Sequence, residues 1–144
     1  MALASAASTQ VSLLVIDDSA PIRRRIVGEL QEMPELAAIR EAHDKASALT
    51  ALRGAGADVV ILDIQLPDGS GLDVLRVLRS ECVATGVIIF SNHPPQPLAD
   101  GVGGSIPDFV FNKSGDFEDV KAAIRLLAGR RQSPGIPGAA SLPT

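Results

Sequence analysis

Apolar residues follow two alternating rhythms along this chain. Short, nearly unbroken runs occur at VSLLVI (11–16), ADVVILD (57–63), VATGVIIF (83–90) and PDFVF (107–111), with a weaker one at LAAIRE (36–41), and these read as buried strands. Between them the apolar residues recur every three or four positions. Ile22, Ile26, Leu30 and Met33 mark one helix, Ala48, Leu49 and Leu52 a second, Leu72, Val74, Leu75 and Leu78 a third, and Phe117, Val120, Ile124 and Leu127 a last one. The punctuation agrees. Ser19 is a suitable N-cap with Pro21 tolerated in the first turn, and Pro34 stops that helix. Asp44 can cap a helix over 45–53 that Gly54 and Gly56 end, and Ser114 or Asp116 can cap the last helix. LPDGSG (66–71) is a loop by composition.

Strands alternating with helices predict right-handed crossovers and a parallel sheet covered on both faces. The expected fold is α/β, a doubly wound five-stranded parallel sheet of order 2-1-3-4-5. One crossover departs from the rhythm: where a helix is due, residues 94–105 read PPQPLADGVGGS. Three prolines and three glycines in that stretch penalise a helix by several kcal/mol. The fourth helix is therefore expected to be degenerate or absent. Residues 1–10 and the Gly/Pro/Ser-rich 129–144 are expected to be disordered segments flanking one domain over 11–128, with no output domain following.

Composition narrows the picture little. The chain has 144 residues, net charge -4, no Trp or Tyr and four Phe, so its core is aliphatic, as suits a buried parallel sheet. No basic stripe suggests nucleic acid as a partner. Arg23-Arg24-Arg25 reads as a solvated helix face, with a docking patch for an acidic partner as the alternative. The single cysteine, Cys82, excludes an internal disulfide and reads as a packing thiol. No apolar run approaches the length of a membrane span and no basic leader is present, so the expectation is a cytoplasmic protein without membrane contact.

What changes the picture is how the strands end. VSLLVI runs into Asp17-Asp18, VVIL into Asp63, GVIIF into Ser91, and FVF, after one Asn, into Lys113. In a parallel sheet all five polar groups reach one edge, where open α/β folds bind ligands. An Asp after a strand usually caps a helix, and a lone lysine is usually solvated; the joint pattern is far more specific. Three carboxylates at close quarters call for a cation, and all-oxygen ligation suits Mg²⁺. Asp63 could then be a third metal ligand or a nucleophile that forms an acyl phosphate. Lys113 would offer a charge and Ser91 a hydroxyl to a phosphoryl group.

The pieces VIDDS (15–19), VVILDIQLPDGSGLDVL (59–75), VIIFSNH (87–93) and FVFNKS (109–114) resemble the receiver domain of two-component response regulators, a flavodoxin-like fold, across about residues 11–128. Spacings of 45 residues from Asp18 to Asp63, 28 to Ser91 and 22 to Lys113 fit that family. The resemblance implies Asp63 as phosphoacceptor and a Mg²⁺ site of Asp17, Asp18, Asp63 and the Gln65 carbonyl. It implies Ser91 and Lys113 as phosphoryl-binding and switch residues, and Gln65 and His93 as residues that tune dephosphorylation. The phosphodonor would be a histidine kinase or histidine phosphotransfer protein, and the output a contact with a downstream protein. Three departures stand out: Ser114 follows the lysine where proline is common, Asn92 is bulkier than usual, and the switch-aromatic position holds Val110, flanked by Phe109 and Phe111.

The resemblance describes a stand-alone receiver rather than an enzyme. An aspartyl-phosphate phosphatase would want Asp-x-Asp at its first strand, and here Ser19 follows Asp17-Asp18. A flavin carrier would want a Ser/Thr/Gly-rich phosphate loop and stacking aromatics, which are lacking. The remaining alternative is an interaction or dimerisation module in which phosphorylation is vestigial and the opened 94–105 crossover carries binding. Such an opening would favour a homodimer formed by exchange of the fifth strand and last helix.

Overall fold

The computed structural model describes residues 10–81, 84–92 and 106–131. In chain order these form β1 (Val11–Ile16), α1 (Ala20–Leu30), β2 (Leu36–Ala42), α2 (Lys45–Arg53), β3 (Val59–Leu62), β4 (Gln65–Leu66), β5 (Gly69–Ser70), α3 (Gly71–Ser80), β6 (Gly86–Ser91), β7 (Phe109–Asn112) and α4 (Phe117–Arg131). Five strands make a parallel sheet of order β2-β1-β3-β6-β7, while β4 and β5 pair separately as a short antiparallel ribbon. With the ribbon set aside, this is the 2-1-3-4-5 order read from the sequence.

Successive strand residues face opposite sides of a sheet, so an unbroken apolar run can serve two cores at once. Leu13, Val15, Val59, Ile61, Ile88 and Phe90 pack with Ile26 and Leu30 of α1 and Val120, Ile124 and Leu127 of α4. Their neighbours Leu14, Ile16, Val60, Leu62, Val87 and Ile89 pack with Ala48 of α2 and Val74, Leu75 and Leu78 of α3. Helices therefore cover both faces. Among the described residues no helix is long and apolar enough to cross a membrane.

The caps follow the sequence closely. Ser19 Oγ accepts from Ile22 N, and Asp44 forms a reciprocal capping box with Ser47. Of the two candidates for the last helix, Asp116 accepts from Glu118 N at 2.9 Å, while Ser114 turns back to Asn112.

Several boundaries differ from expectation: α1 ends at Leu30, before Met33 and Pro34, and β3 spans Val59–Leu62 rather than 57–63. The LPDGSG stretch is not a plain loop: Gln65 pairs with Ser70 and Leu66 with Gly69, because burial of Leu66 and the close passage of Gly71 over Asp63 fold the chain back. The last two sheet strands lie slightly later than 83–90 and 107–111. And α4 continues through Gly129 to Arg131, past the expected end at 128, where Leu127 and Ala128 are buried and Arg130 pairs with Asp108 at 3.2 Å. Expectations for residues 1–9, Cys82, His93, the 94–105 crossover with its degenerate helix and strand exchange, and the tail from 132 lie outside the described residues.

Gly71 decides how closely α3 approaches the end of β3. Its N–H donates to Ile64 O at 2.7 Å, and a Cβ there would stand 2.0 Å from the Asp63 carbonyl oxygen. That atom is backbone and cannot swing aside. Gly71→Ala is expected to lose about 2–3 kcal/mol through forced displacement of the helix or of Asp63. Gly28 sits inside α1 with nothing within 4 Å of a built Cβ. Gly28→Ala should therefore gain roughly 0.5–1 kcal/mol from helix propensity and a less disordered unfolded chain. Denaturant titration of the two variants gives midpoints shifted in opposite directions.

Candidate functional site

The register of the sheet sets the site. Ile16 of β1 pairs with Leu62 of β3, so Asp17 and Asp63 leave adjacent strands at the same level. Ser91, the last residue of β6, pairs with Asn112, the last of β7, and Lys113 follows. Asp17, Asp18, Asp63, Gln65, Ser91 and Lys113 all line one cavity of about 460 Å³ at this edge, with Ser19, Ile22, Leu66, Pro67 and Asn92.

Asp17 and Asp63 are only 2% and 6% exposed, while Asp18 is exposed. Each of the three offers an oxygen, and these atoms all lie within 4.8 Å of one another. Lys113 Nζ stands 2.7 Å from Asp17 Oδ2 and 3.0 Å from Asp63 Oδ2. Burial disfavours the charged ammonium, but hydrogen bonds to Asp17 and Asp63 outweigh it and hold the Lys113 pKa above the ordinary lysine value. One ammonium stands among three carboxyl groups, a donor set that a divalent cation bound by oxygen would suit.

The three acids are held differently. Asp17 is engaged at every polar group: its N–H donates to Ala42 O at 3.1 Å, its carbonyl accepts from Arg23 Nη1 at 2.6 Å, Oδ1 accepts from Ser19 N at 3.0 Å, and Oδ2 meets Lys113. Asp63 donates from its N–H to Ile16 O at 2.9 Å, and among the described residues its Oδ1 has only a long contact, 3.4 Å, with Gln65 N. Asp18 has no hydrogen-bond partner among the described residues. The carboxylates most open to a new partner are therefore Asp18 and one oxygen of Asp63.

Of the other candidates, Gln65 is exposed at the cavity and Ser91 is buried within its wall. His93 lies outside the described residues. Phe109 and Phe111 stack with centroids 6.0 Å apart and pack against the core under α1 and α4, away from the cavity lining. Val110 between them is 37% exposed.

Sequence reasoning missed three supports of the site. The arginine run is not one solvated face. Arg23 is half-buried and also binds Glu41 Oε1 at 2.9 Å, Arg25 lies 5.2 Å from the Phe117 ring centroid, and Arg24 is exposed. Only its place one turn beyond Ser19 could have singled out Arg23. Asp68, at the turn of the β4–β5 ribbon, accepts from Lys45 N at 2.7 Å and Ala46 N at 3.0 Å. This second cap fastens the segment carrying Gln65 to α2, and the Lys45 N–H bond holds the Asp68 carboxyl below the usual range. Asn112, the third, bridges the ends of β6 and β7.

Comparison with known proteins agrees with this geometry. The response regulator receiver domain family matches residues 13–125. The DNA-binding transcriptional activator DevR/DosR of Mycobacterium tuberculosis is 29% identical over 83% of this chain and 56% of its own length. A protein-glutamate methylesterase/protein-glutamine glutaminase of Alkalilimnicola ehrlichii is 30% identical over 87% of this chain and 35% of its own length. The chain thus spans about half, or less, of these curated relatives. Among solved structures, response regulator protein TrrA of Thermotoga maritima, crystallised in complex with Mg²⁺ and BeF, superposes with a TM-score of 0.70 at 28% identity, covering 81% of this chain and 97% of that one.

Lys113 is expected to be the largest single electrostatic contribution to stability at this edge. Lys113→Met leaves two buried carboxylates without their counter-charge and should cost about 3 kcal/mol near neutral pH. Because the folded pKa lies above the unfolded one, the lysine's contribution is fully present below about pH 10 and is lost as pH rises through the elevated folded value. Urea denaturation of both proteins from neutral to strongly alkaline pH should show a constant gap that closes only at the alkaline end.

Proposed function

The chain belongs to the response regulator receiver family, and from that premise we propose that Asp63 accepts a phosphoryl group from the phosphohistidine of a histidine kinase or phosphotransfer protein. The observation that carries this reading is the Lys113 ammonium poised between Asp17 and Asp63, in a cavity that also holds Asp18 and Ser91. An oxygen of Asp63 forms the new O–P bond as the donor's N–P bond breaks, and the electron pair of that bond remains on the imidazole nitrogen. Lys113, already within 3.0 Å of Asp63, exchanges its carboxylate contacts for an oxygen of the incoming group, and the Ser91 hydroxyl donates to another.

The residues present fit a Mg²⁺ ion: Asp17, Asp18, Asp63 and the Gln65 carbonyl are hard oxygen donors, and the site carries more negative charge than Lys113 alone offsets. When bound, the ion would neutralise charge on the phosphoryl oxygens. That TrrA was crystallised with Mg²⁺ and BeF supports the same pairing here. The exposed Gln65 stands where it can meet the water that hydrolyses the acyl phosphate, and this chain would signal by contact with a downstream protein. The competing reading, an interaction module working through 94–105, draws on residues outside those described.

The test is intact-mass measurement after incubation with Mg²⁺ and acetyl phosphate. One added phosphoryl group is expected on the wild-type protein and none on Asp63→Asn. Asp18→Asn should bind Mg²⁺ more weakly and label more slowly. No mass increase in the wild type at saturating metal and donor overturns the reading.

A further inference from the structure

Asn112 takes no part in the chemistry above, yet it sits between the two groups that would hold phosphoryl oxygens. It closes β7 opposite Ser91 and precedes Lys113. Its side chain makes three hydrogen bonds: Nδ2 donates to the Asn92 carbonyl at 2.8 Å, and Oδ1 accepts from Ser114 N at 2.8 Å and from Ser114 Oγ at 2.7 Å. Its own carbonyl accepts from Gly115 N at 2.9 Å, closing a turn with Lys113 and Ser114 at its centre. The Lys113 N–H completes the link, donating to Ser91 O at 3.1 Å.

These contacts divide into two functions. The Oδ1 half is an Asx turn, which fixes the main chain that aims the long, freely rotating lysine stem. The Nδ2 half reaches across to the other strand and holds the first residue beyond Ser91. A single planar amide thereby connects the segment that carries the hydroxyl to the turn that carries the ammonium.

We propose that Asn112 is a positioning residue that locks the Ser91–Asn92 segment to the Lys113 turn, so that hydroxyl and ammonium meet a phosphoryl group as one unit. The proposal rests on the phosphoacceptor reading and adds to it the residue that sets the spacing of the two donors. It places no demand on the metal site, since Asn112 touches none of the proposed ligands.

Two variants separate the halves. Asn112→Ala removes both. Asn112→Ser keeps a short oxygen able to accept from Ser114 N but cannot reach Asn92. Four quantities are measured: the exchange rate of the Lys113 amide hydrogen in the ligand-free protein, Mg²⁺ affinity, beryllofluoride affinity at saturating Mg²⁺, and Tm. In Asn112→Ser the amide should exchange roughly three- to tenfold faster and beryllofluoride should bind weaker by a similar factor, as expected for loss of one net hydrogen bond, and in Asn112→Ala both effects should be at least as large. Mg²⁺ affinity should stay at the wild-type value, and Tm should fall by only about the few degrees that such bonds are worth. Wild-type behaviour of both variants, or of Asn112→Ser alone, overturns the lock. So does a parallel fall of Tm and Mg²⁺ affinity, which would mark general structural support. A wild-type protein that binds no beryllofluoride overturns the phosphoacceptor reading instead, and the Lys113 exchange rates still decide on the lock.

Discussion

Asp17 and Asp63 stand almost wholly out of water at the ends of neighbouring strands, where an ionised carboxylate is costly by several kcal/mol unless paired. Lys113, 50 residues along the chain from Asp63, meets both. The pairing constrains the molecule at long range. It requires β7 to lie on the same side of β1 and β3 as β6 does, and it requires the chain to turn immediately after Asn112. The parallel sheet meets the first requirement, since aliphatic runs of similar length bring their carboxyl ends to one edge. The Asn112–Gly115 turn meets the second. One cation cannot neutralise three acids, so the edge is stable enough to exist and still attractive to further positive charge.

Most of this was legible because the chemistry is written at strand ends. A run that stops at Asp17, Asp63 or Ser91 declares both its length and what it delivers, and Ser19 and Asp44 mark where the next helix starts. What stayed hidden depends on contacts made across the fold. The β4–β5 ribbon looks like a loop because its reason for folding back is Gly71 packed on the Asp63 carbonyl, a contact that propensity does not record. The helix α4 passes Gly129 because Leu127 and Ala128 are buried in the core and Arg130 pairs with Asp108 just before β7. The arginine run looked uniform in sequence, yet Arg23 grips the Asp17 carbonyl and Glu41 while Arg24 faces solvent.

The structure under the cavity and the structure around it are built from different forces. Below lie two layers of interlocked aliphatic side chains, where displacing a strand would open voids on both faces at once. Around the rim the segments are tied by single polar contacts: Arg23 to the Asp17 carbonyl, Asp68 to the first amides of α2, and Asn112 to the Asn92 carbonyl. Each such bond is worth about 1 kcal/mol net, against the several lost by opening a packed core. A charge arriving at Asp63 therefore moves the rim before it moves the strands.

That ordering bears on how such a site could report its state. Phe109 and Phe111 are partly buried and packed against the core under α1 and α4, so swinging either ring would give up part of that packing. The polar rim needs no such disruption. Lys113 has three donors and spends two on Asp17 and Asp63. A new oxygen partner would draw it outward, and its main chain is bound to Ser91 on one side and enclosed in the Asn112 turn on the other. Strain on the ammonium thus falls on the junction of β6 and β7, a place where a small shift breaks hydrogen bonds without breaking packing.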